Sequence, residues 1–94
     1  MKAIWKNTVI ADSDDTIEME GSVYFPPDSL KLEYLQPGDR TSYCPWKGNA
    51  RYYSIHVDGE INENAAWCYR EPRSYASVIR DYMAFWHGVE LVDD

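Results

Sequence analysis

A thiol, an indole and an amine stand close together at Cys44-Pro45-Trp46-Lys47, inside the run Thr41-Ser42-Tyr43-Cys44-Pro45-Trp46-Lys47-Gly48. Two chemistries are open to such a run. In the first, the ammonium of Lys47 favours the thiolate form of Cys44, the form that attacks electrophiles; Cys44 and Lys47 are then the candidate catalytic residues. In the second, the run is a binding loop, with Lys47 holding an anionic group and Trp46 offering an aromatic wall. Desolvation by Trp46 would lower the pKa of the Lys47 amine itself. Plainer accounts stand beside both. Cysteine often packs as a small hydrophobe, tryptophan fills cores, and a lysine stem can lie along an aromatic ring.

The rest of the candidate wall comes from other segments. Tyr52 and His56 fall on one strand face by the period of two. Tyr24, Tyr52, Trp67 and Tyr69 complete, with Trp46 and Lys47, the set expected to bind a ligand. Metal chemistry has little to stand on. Lys47 occupies the place where a CxxC pair would carry its second thiol, and His56 and His87 lack partners at ligand spacing. No phosphate-cradling glycine loop, HExxH or GxSxG is present in the sequence. No cofactor is expected.

Backbone chemistry shapes the run. Pro45 keeps Cys44 out of helical backbone, and Gly48 opens conformations closed to other residues. A shaped loop feeding a strand is expected there, of the sort a rigid sheet holds in place.

The elements that must position these residues fit in 94 residues, a single domain spanning 1–94. Four Trp, eight Tyr and two Phe supply large rings for a small core. Ala3-Ile4-Trp5 and Thr8-Val9-Ile10 flank Lys6-Asn7 as a hairpin. Thr16–Glu20 alternates as a half-buried strand, followed across Gly21-Ser22 by Val23-Tyr24-Phe25. After Pro26-Pro27, a short helical turn through Leu30, Leu32 and Leu35 is expected, capped by Asp28 or Ser29. Gln36-Pro37-Gly38-Asp39 reads as a turn.

Arg51–Val57 is a strand leading into Asp58-Gly59, the strongest hairpin signal in the chain. Strict pairing about that turn would set Ile55 against Asn62 and Tyr53 against Asn64, mixing apolar with polar on one face. One bulged residue around Asn62-Glu63-Asn64 instead places Tyr53 beside Ala65 and Trp67 beside Arg51, the preferred register. Ala65–Tyr69 ends at Pro72. Tyr75, Val78, Ile79, Tyr82, Met83 and Trp86 then form one apolar stripe at helical spacing, with Ser74 as N-cap and Gly88 as stop. Val89–Val92 is a last short strand. The fold class is mainly β (α+β), with antiparallel strands and one C-terminal amphipathic helix.

Charge and hydropathy narrow the partners. The formal net charge of −7 opposes phosphate backbones and anionic membrane surfaces, so neither nucleic acid nor membrane is expected. No apolar run approaches the ~20 residues of a membrane span. The segment Met1–Asn7 lacks the apolar core of a signal peptide. A cytoplasmic setting with Cys44 and Cys68 reduced is expected.

Taken in order, Tyr24-Phe25-Pro26, Thr41 through Tyr53, Ala66-Trp67-Cys68-Tyr69 and Pro72 resemble the domain of unknown function 427 family. The likeness runs over nearly the whole chain, with the Cys-Pro-Trp-Lys-Gly block as its most specific part. Ile79, Tyr82, Ala84 and Phe85 fit its closing helix, whereas Cys68 takes a place often held by an aromatic. The resemblance implies a compact fold of small curved sheets, broadly Mss4-like. It also implies a bacterial, soluble protein, as the family's members are. Zinc sites of Mss4-like proteins use CxxC pairs, which this chain lacks, so the metal does not carry over.

A small-ligand binding domain, with its aromatic pocket around the Cys44–Gly48 loop, is the leading functional expectation. The alternatives are a protein-interaction module displaying aromatic surface, and an enzyme using Cys44 as nucleophile or redox thiol.

Overall fold

The computed structural model describes residues 1–93. The fold is mainly β, made of three antiparallel sheets. Strands β1 (Lys2–Trp5) and β2 (Thr8–Asp12) form the first hairpin, and β3 (Ile17–Met19) and β4 (Ser22–Tyr24) the second. A longer meander follows: β5 (Leu35–Cys44), β6 (Gly48–Val57), β7 (Glu60–Cys68) and β8 (Met83–Phe85). The last strand, β9 (Glu90–Val92), returns to β1. The sheets are ordered β2-β1-β9, β3-β4 and β5-β6-β7-β8. No helix among the described residues is long and apolar enough to cross a membrane.

Local chemistry sets the tight turns. Lys6 and Asn7 lie at φ 53° and 58°, Glu20 and Gly21 at 50° and 81°, and Asp58 and Gly59 at 50° and 79°. Each is the left-handed pair that a two-residue hairpin requires. Asn, Asp and Gly tolerate that region best, and the two hairpins expected at Lys6-Asn7 and Asp58-Gly59 are found.

The four-stranded sheet has an apolar layer on each face. Ile55 and Val57 of β6, with Ala66 and Cys68 of β7 and Met83 and Phe85 of β8, pack on Ala3, Ile10, Ala11 and Phe25. Ala50 and Tyr52, with Tyr69 and Ala84, face the opposite way onto Tyr24, Ala76 and Ile79. Strand β4 and the residue after it serve both layers, since Val23 and Phe25 point into the first and Tyr24 into the second. Tyr24, Phe25, Ile10, Ile55 and Ile79 are fully enclosed.

Four expectations are corrected. The C-terminal amphipathic helix is not formed. Ser74–Ile79 is a 3-10 segment, Asp81 turns the chain at φ 63°, and Met83–Phe85 extends as β8. β8 pairs with β7 through Ala66–Phe85, Trp67–Ala84 and Cys68–Met83, and Met83 also exchanges backbone hydrogen bonds with Phe25 at 2.8 and 2.9 Å. A helix would leave those donors and acceptors of β7 and Phe25 unmatched, a cost that outweighs a weak helical propensity.

The turn after Pro27 is present, but as two 3-10 turns, Pro27–Ser29 and Leu32–Tyr34, and neither has a side-chain cap. Ser29 Oγ instead donates to the Pro26 carbonyl at 2.7 Å. Gln36–Asp39 lies within β5 as a bulged stretch: Pro37 pairs with Tyr53 and Thr41 with Arg51, so Gly38, Asp39 and Arg40 together oppose Tyr52.

The bulge in β7 is in the expected place but carries two extra residues. Ile55 pairs with Asn62 while Tyr53 pairs with Ala66, leaving Glu63, Asn64 and Ala65 against Ser54. Tyr52 therefore pairs with Trp67, which lies on the Tyr52 face and not beside Arg51. Two contacts hold this register. Ser54 Oγ accepts from the Asn64 amide at 3.0 Å, and Trp86 Nε1 donates to the Asn64 carbonyl at 2.6 Å.

Candidate functional site

The Cys-Pro-Trp-Lys-Gly run is a hairpin turn. Cys44 pairs with Gly48 across Pro45, Trp46 and Lys47, and Gly48 takes φ 109°. A Cβ at Gly48 would come into ordinary contact with the Glu71 carbonyl and the Arg73 amide, at 3.4 and 3.5 Å. That closeness lets the Arg73 amide donate to the Lys47 carbonyl at 2.9 Å, tying the turn to the chain leading into Ser74–Ile79. The glycine is required by its left-handed conformation, not by lack of space.

Lys47 points back over the sheet, with its side chain only 11% exposed. Its amine donates to Glu20 Oε1 at 2.7 Å and lies 5.9 Å from the centre of the Tyr69 ring. The other oxygen of Glu20 accepts from the Tyr75 hydroxyl at 3.2 Å. One carboxylate thus joins the β3–β4 turn, the β5–β6 turn and the Ser74–Ile79 segment.

Electrostatics follow from these bonds. The Lys47 hydrogen bond, with that amine's charge, holds the Glu20 carboxyl below its usual range against a smaller opposing effect of desolvation. Desolvation is the largest single influence on Lys47 and pulls its pKa down. Glu20 and the nearby phenols of Tyr24 and Tyr69 outweigh it, and the amine's pKa is raised. This corrects the expected lowering by Trp46, since Trp46 is turned outward and 63% exposed. Burial pushes the Tyr69 phenol to about 12 and also raises Tyr24.

Four of the expected wall residues form one aromatic layer. Trp67 stands edge-on to Tyr24 at 6.3 Å and donates its Nε1–H to the Tyr24 hydroxyl at 3.3 Å. Trp67 also packs against Tyr52, and Tyr52 against Trp86, at 6.3 and 6.0 Å. Ser42 Oγ is 3.0 Å from the Tyr52 hydroxyl. Tyr24, Tyr52 and Tyr69 are buried and Trp67 is half-buried, so these rings support the site more than they wall an opening.

Cys44 is half-buried and free, and lies on the same sheet face as Tyr52. Cys68 faces the other layer, so the two thiols are separated by the sheet. Neither histidine stands at Cys44. His87 packs on Trp86 with ring centres 4.1 Å apart, and His56 lines a separate hollow with Asp39 and Asn64.

Beside the turn is an open pocket of about 540 Å³, lined by Glu20, Pro45, Trp46, Arg73, Ser74 and Tyr75. Of the residues singled out by sequence, only Trp46 lines it; Lys47 reaches it through Glu20. Sequence reasoning missed Glu20, Arg73 and Tyr75. Glu20 reads as the end of an alternating strand, and Tyr75 as the apolar start of a helix. Its hydroxyl and its 58% exposure have no counterpart in the stripe pattern.

No curated protein matches the sequence. A family model described as domain of unknown function (DUF427) matches residues 1–94, from the first hairpin through β9, and the chain belongs to that family.

Proposed function

We propose that the protein is a small-ligand binding domain, with the ligand seated in the pocket beside the Cys44–Gly48 turn. The observation that carries this reading is the composition of that pocket. Trp46 and Tyr75 give it exposed aromatic surface, while Glu20, Arg73 and Ser74 supply a few placed polar groups. Apolar walls with sparse polar anchors are the common make-up of ligand sites. Glu20 has both oxygens engaged by Lys47 and Tyr75, so its remaining acceptor capacity is held in a fixed direction.

The ligand that suits this set has a flat apolar body for Trp46, a donor for Glu20 and an acidic or carbonyl oxygen for Arg73. Lys47 acts here as the residue that positions Glu20, while Tyr24, Tyr52, Trp67 and Tyr69 form the rigid backing. A thermal-shift screen across metabolite classes tests the reading. A ligand that raises the melting temperature of the wild type, but not of Trp46→Ala or Glu20→Gln, is the expected result. If no class separates wild type from Trp46→Ala, the reading fails.

A second reading, an interaction module, is favoured by the exposure of Tyr43, Trp46 and Tyr75, at 60%, 63% and 58%. Arg73 Nη1 donates to the Tyr43 hydroxyl at 3.4 Å, which places this ring at the same end of the molecule.

A further inference from the structure

The face of the sheet turned away from Tyr52 and Tyr69 carries a second pocket, of about 340 Å³. Leu30 and Leu35 wall it, and Met83 and Cys68, only 4% and 3% exposed, close its floor. All four belong to, or pack against, the apolar layer of Phe25 and Ile55, so they converge on one space. The wall is held in place. The Lys31 amide donates to the Ile10 carbonyl at 2.8 Å and Leu30 bridges to Ala11, which pins the chain between the two 3-10 turns. At the mouth Leu32 is 69% exposed, more than any other large hydrophobic side chain among the described residues, and Pro27 is exposed as well.

One end of this pocket is polar, built from Tyr53, Arg70 and Asp81. Asp81 takes a left-handed φ of 63°, a conformation that Asp tolerates better than most residues. Its amide donates to the Tyr69 carbonyl at 3.0 Å, and its carboxylate meets Arg70 Nε at 3.5 Å. Arg70 Nη1 in turn donates to the Tyr53 hydroxyl at 3.5 Å. Since that hydroxyl accepts from Arg70, its own hydrogen is left for the Cys68 sulfur, a weak acceptor, or for the oxygen of a ligand, a stronger one. The charges of Arg70 and Asp81 offset each other, so this end offers hydrogen-bond donors with little net charge.

Apolar walls around a few placed polar groups, in a space of about 300–1,000 Å³, are the ordinary make-up of small-molecule sites. We propose that this pocket binds a small uncharged molecule with an apolar body and one carbonyl oxygen, the body against Leu30, Leu35 and Met83 and the oxygen accepting from Tyr53 and Arg70. At about 340 Å³ the space admits a single ring or a short chain. It is too small to seat a helix, whose diameter with side chains is about 10–12 Å. A charged ligand is disfavoured at this end: a carboxylate would compete with Asp81 for Arg70, and a cation would meet the guanidinium. This site is separate from the pocket at the Cys44–Gly48 turn and does not depend on it.

The test is amide NMR titration of the full chain with acetophenone, and with ethylbenzene, which keeps the ring but lacks the oxygen. Saturable one-to-one shifts are expected at Leu30, Leu35, Tyr53, Cys68 and Met83. Acetophenone should bind about fivefold tighter than ethylbenzene, the worth of one hydrogen bond. Tyr53→Phe should shrink that difference while leaving ethylbenzene binding within about twofold. Leu32→Glu, a change at an exposed position, should weaken both probes with an unchanged melting temperature. Shifts that do not saturate, or that centre on Trp46 and Tyr75, overturn the proposal. Equal affinity for the two probes overturns the carbonyl assignment, and benzoate binding as tightly as acetophenone overturns the choice of an uncharged ligand. Shifts at the same residues on raising protein concentration without a probe would mark an interface between copies, and would overturn the proposal too.

Discussion

Glu20 and Lys47 form a contact whose strength depends on which of the two is charged. Glu20 is ionised at a lower pH in the fold than in the unfolded chain, because Lys47 holds its charged form. Its contribution to stability is therefore fully present above the unfolded carboxylate value of about 4.3. It is lost as pH falls through the depressed folded value. The melting temperature of Glu20→Gln should lie below that of wild type at pH 7, and the gap should close on acidification toward pH 3. A gap independent of pH would show that the carboxylate is not held by charge. In Lys47→Met, the Glu20 carboxyl followed by NMR should titrate closer to the ordinary range. The thiols separate in the same way. Cys68 is 3% exposed and burial raises its pKa, whereas Cys44 is half-buried at the turn. Iodoacetamide followed by mass spectrometry should label Cys44 in the native protein and reach Cys68 only on unfolding.

At the scale of elements, the segment Ser74–Ile79 shows why spacing alone misleads. Ala76 and Ile79 are enclosed, while Tyr75 and Val78 are 58% and 60% exposed. A helix burying the full stripe would enclose Val78. Val78→Lys should change stability by no more than about 0.5 kcal/mol, and Ile79→Ala should cost about 2–5 kcal/mol, both by denaturant titration. A large loss for Val78→Lys would restore the helix. The β5 bulge gives a second test. A methyl at Gly38 would collide with Asn64 Oδ1 and lie 3.2 Å from the Tyr52 carbonyl. Gly38→Ala should cost about 1–3 kcal/mol by overpacking. The two-residue turns are readable because their backbone demand is met by the turn residues themselves. The β7 bulge can be located but not sized from sequence, because its second extra residue is held by Ser54 and Trp86, ten and twenty-two positions from Asn64.

The whole molecule is a sheet used on both faces, and that explains what the sequence can and cannot reveal about the site. Tyr24, Tyr52, Trp67 and Tyr69 do gather on one side, since strand periodicity carries that information once the register is known. That they back the pocket instead of opening into it depends on Ala76 and Ile79 closing over them from a distant segment. Glu20, Trp46 and Tyr75 meet only because three separate segments converge at one end, and no local pattern encodes such a meeting. The aromatic residues are legible as material and not as placement.

The three-residue bulge in β5 has an effect on crowding. β5 is an outer strand of the four-stranded sheet, and at ten residues it is long enough to template a neighbouring chain. Pro37 has no amide hydrogen to offer there, and Gly38–Arg40 break the regular ladder, with the charges of Asp39 and Arg40 projecting from the break. Such interruptions are how sheet proteins keep open edges from annealing to one another. Straightening this strand would expose an uninterrupted row of backbone donors and acceptors, and the cost of that change would appear as fibrils or precipitate at high concentration.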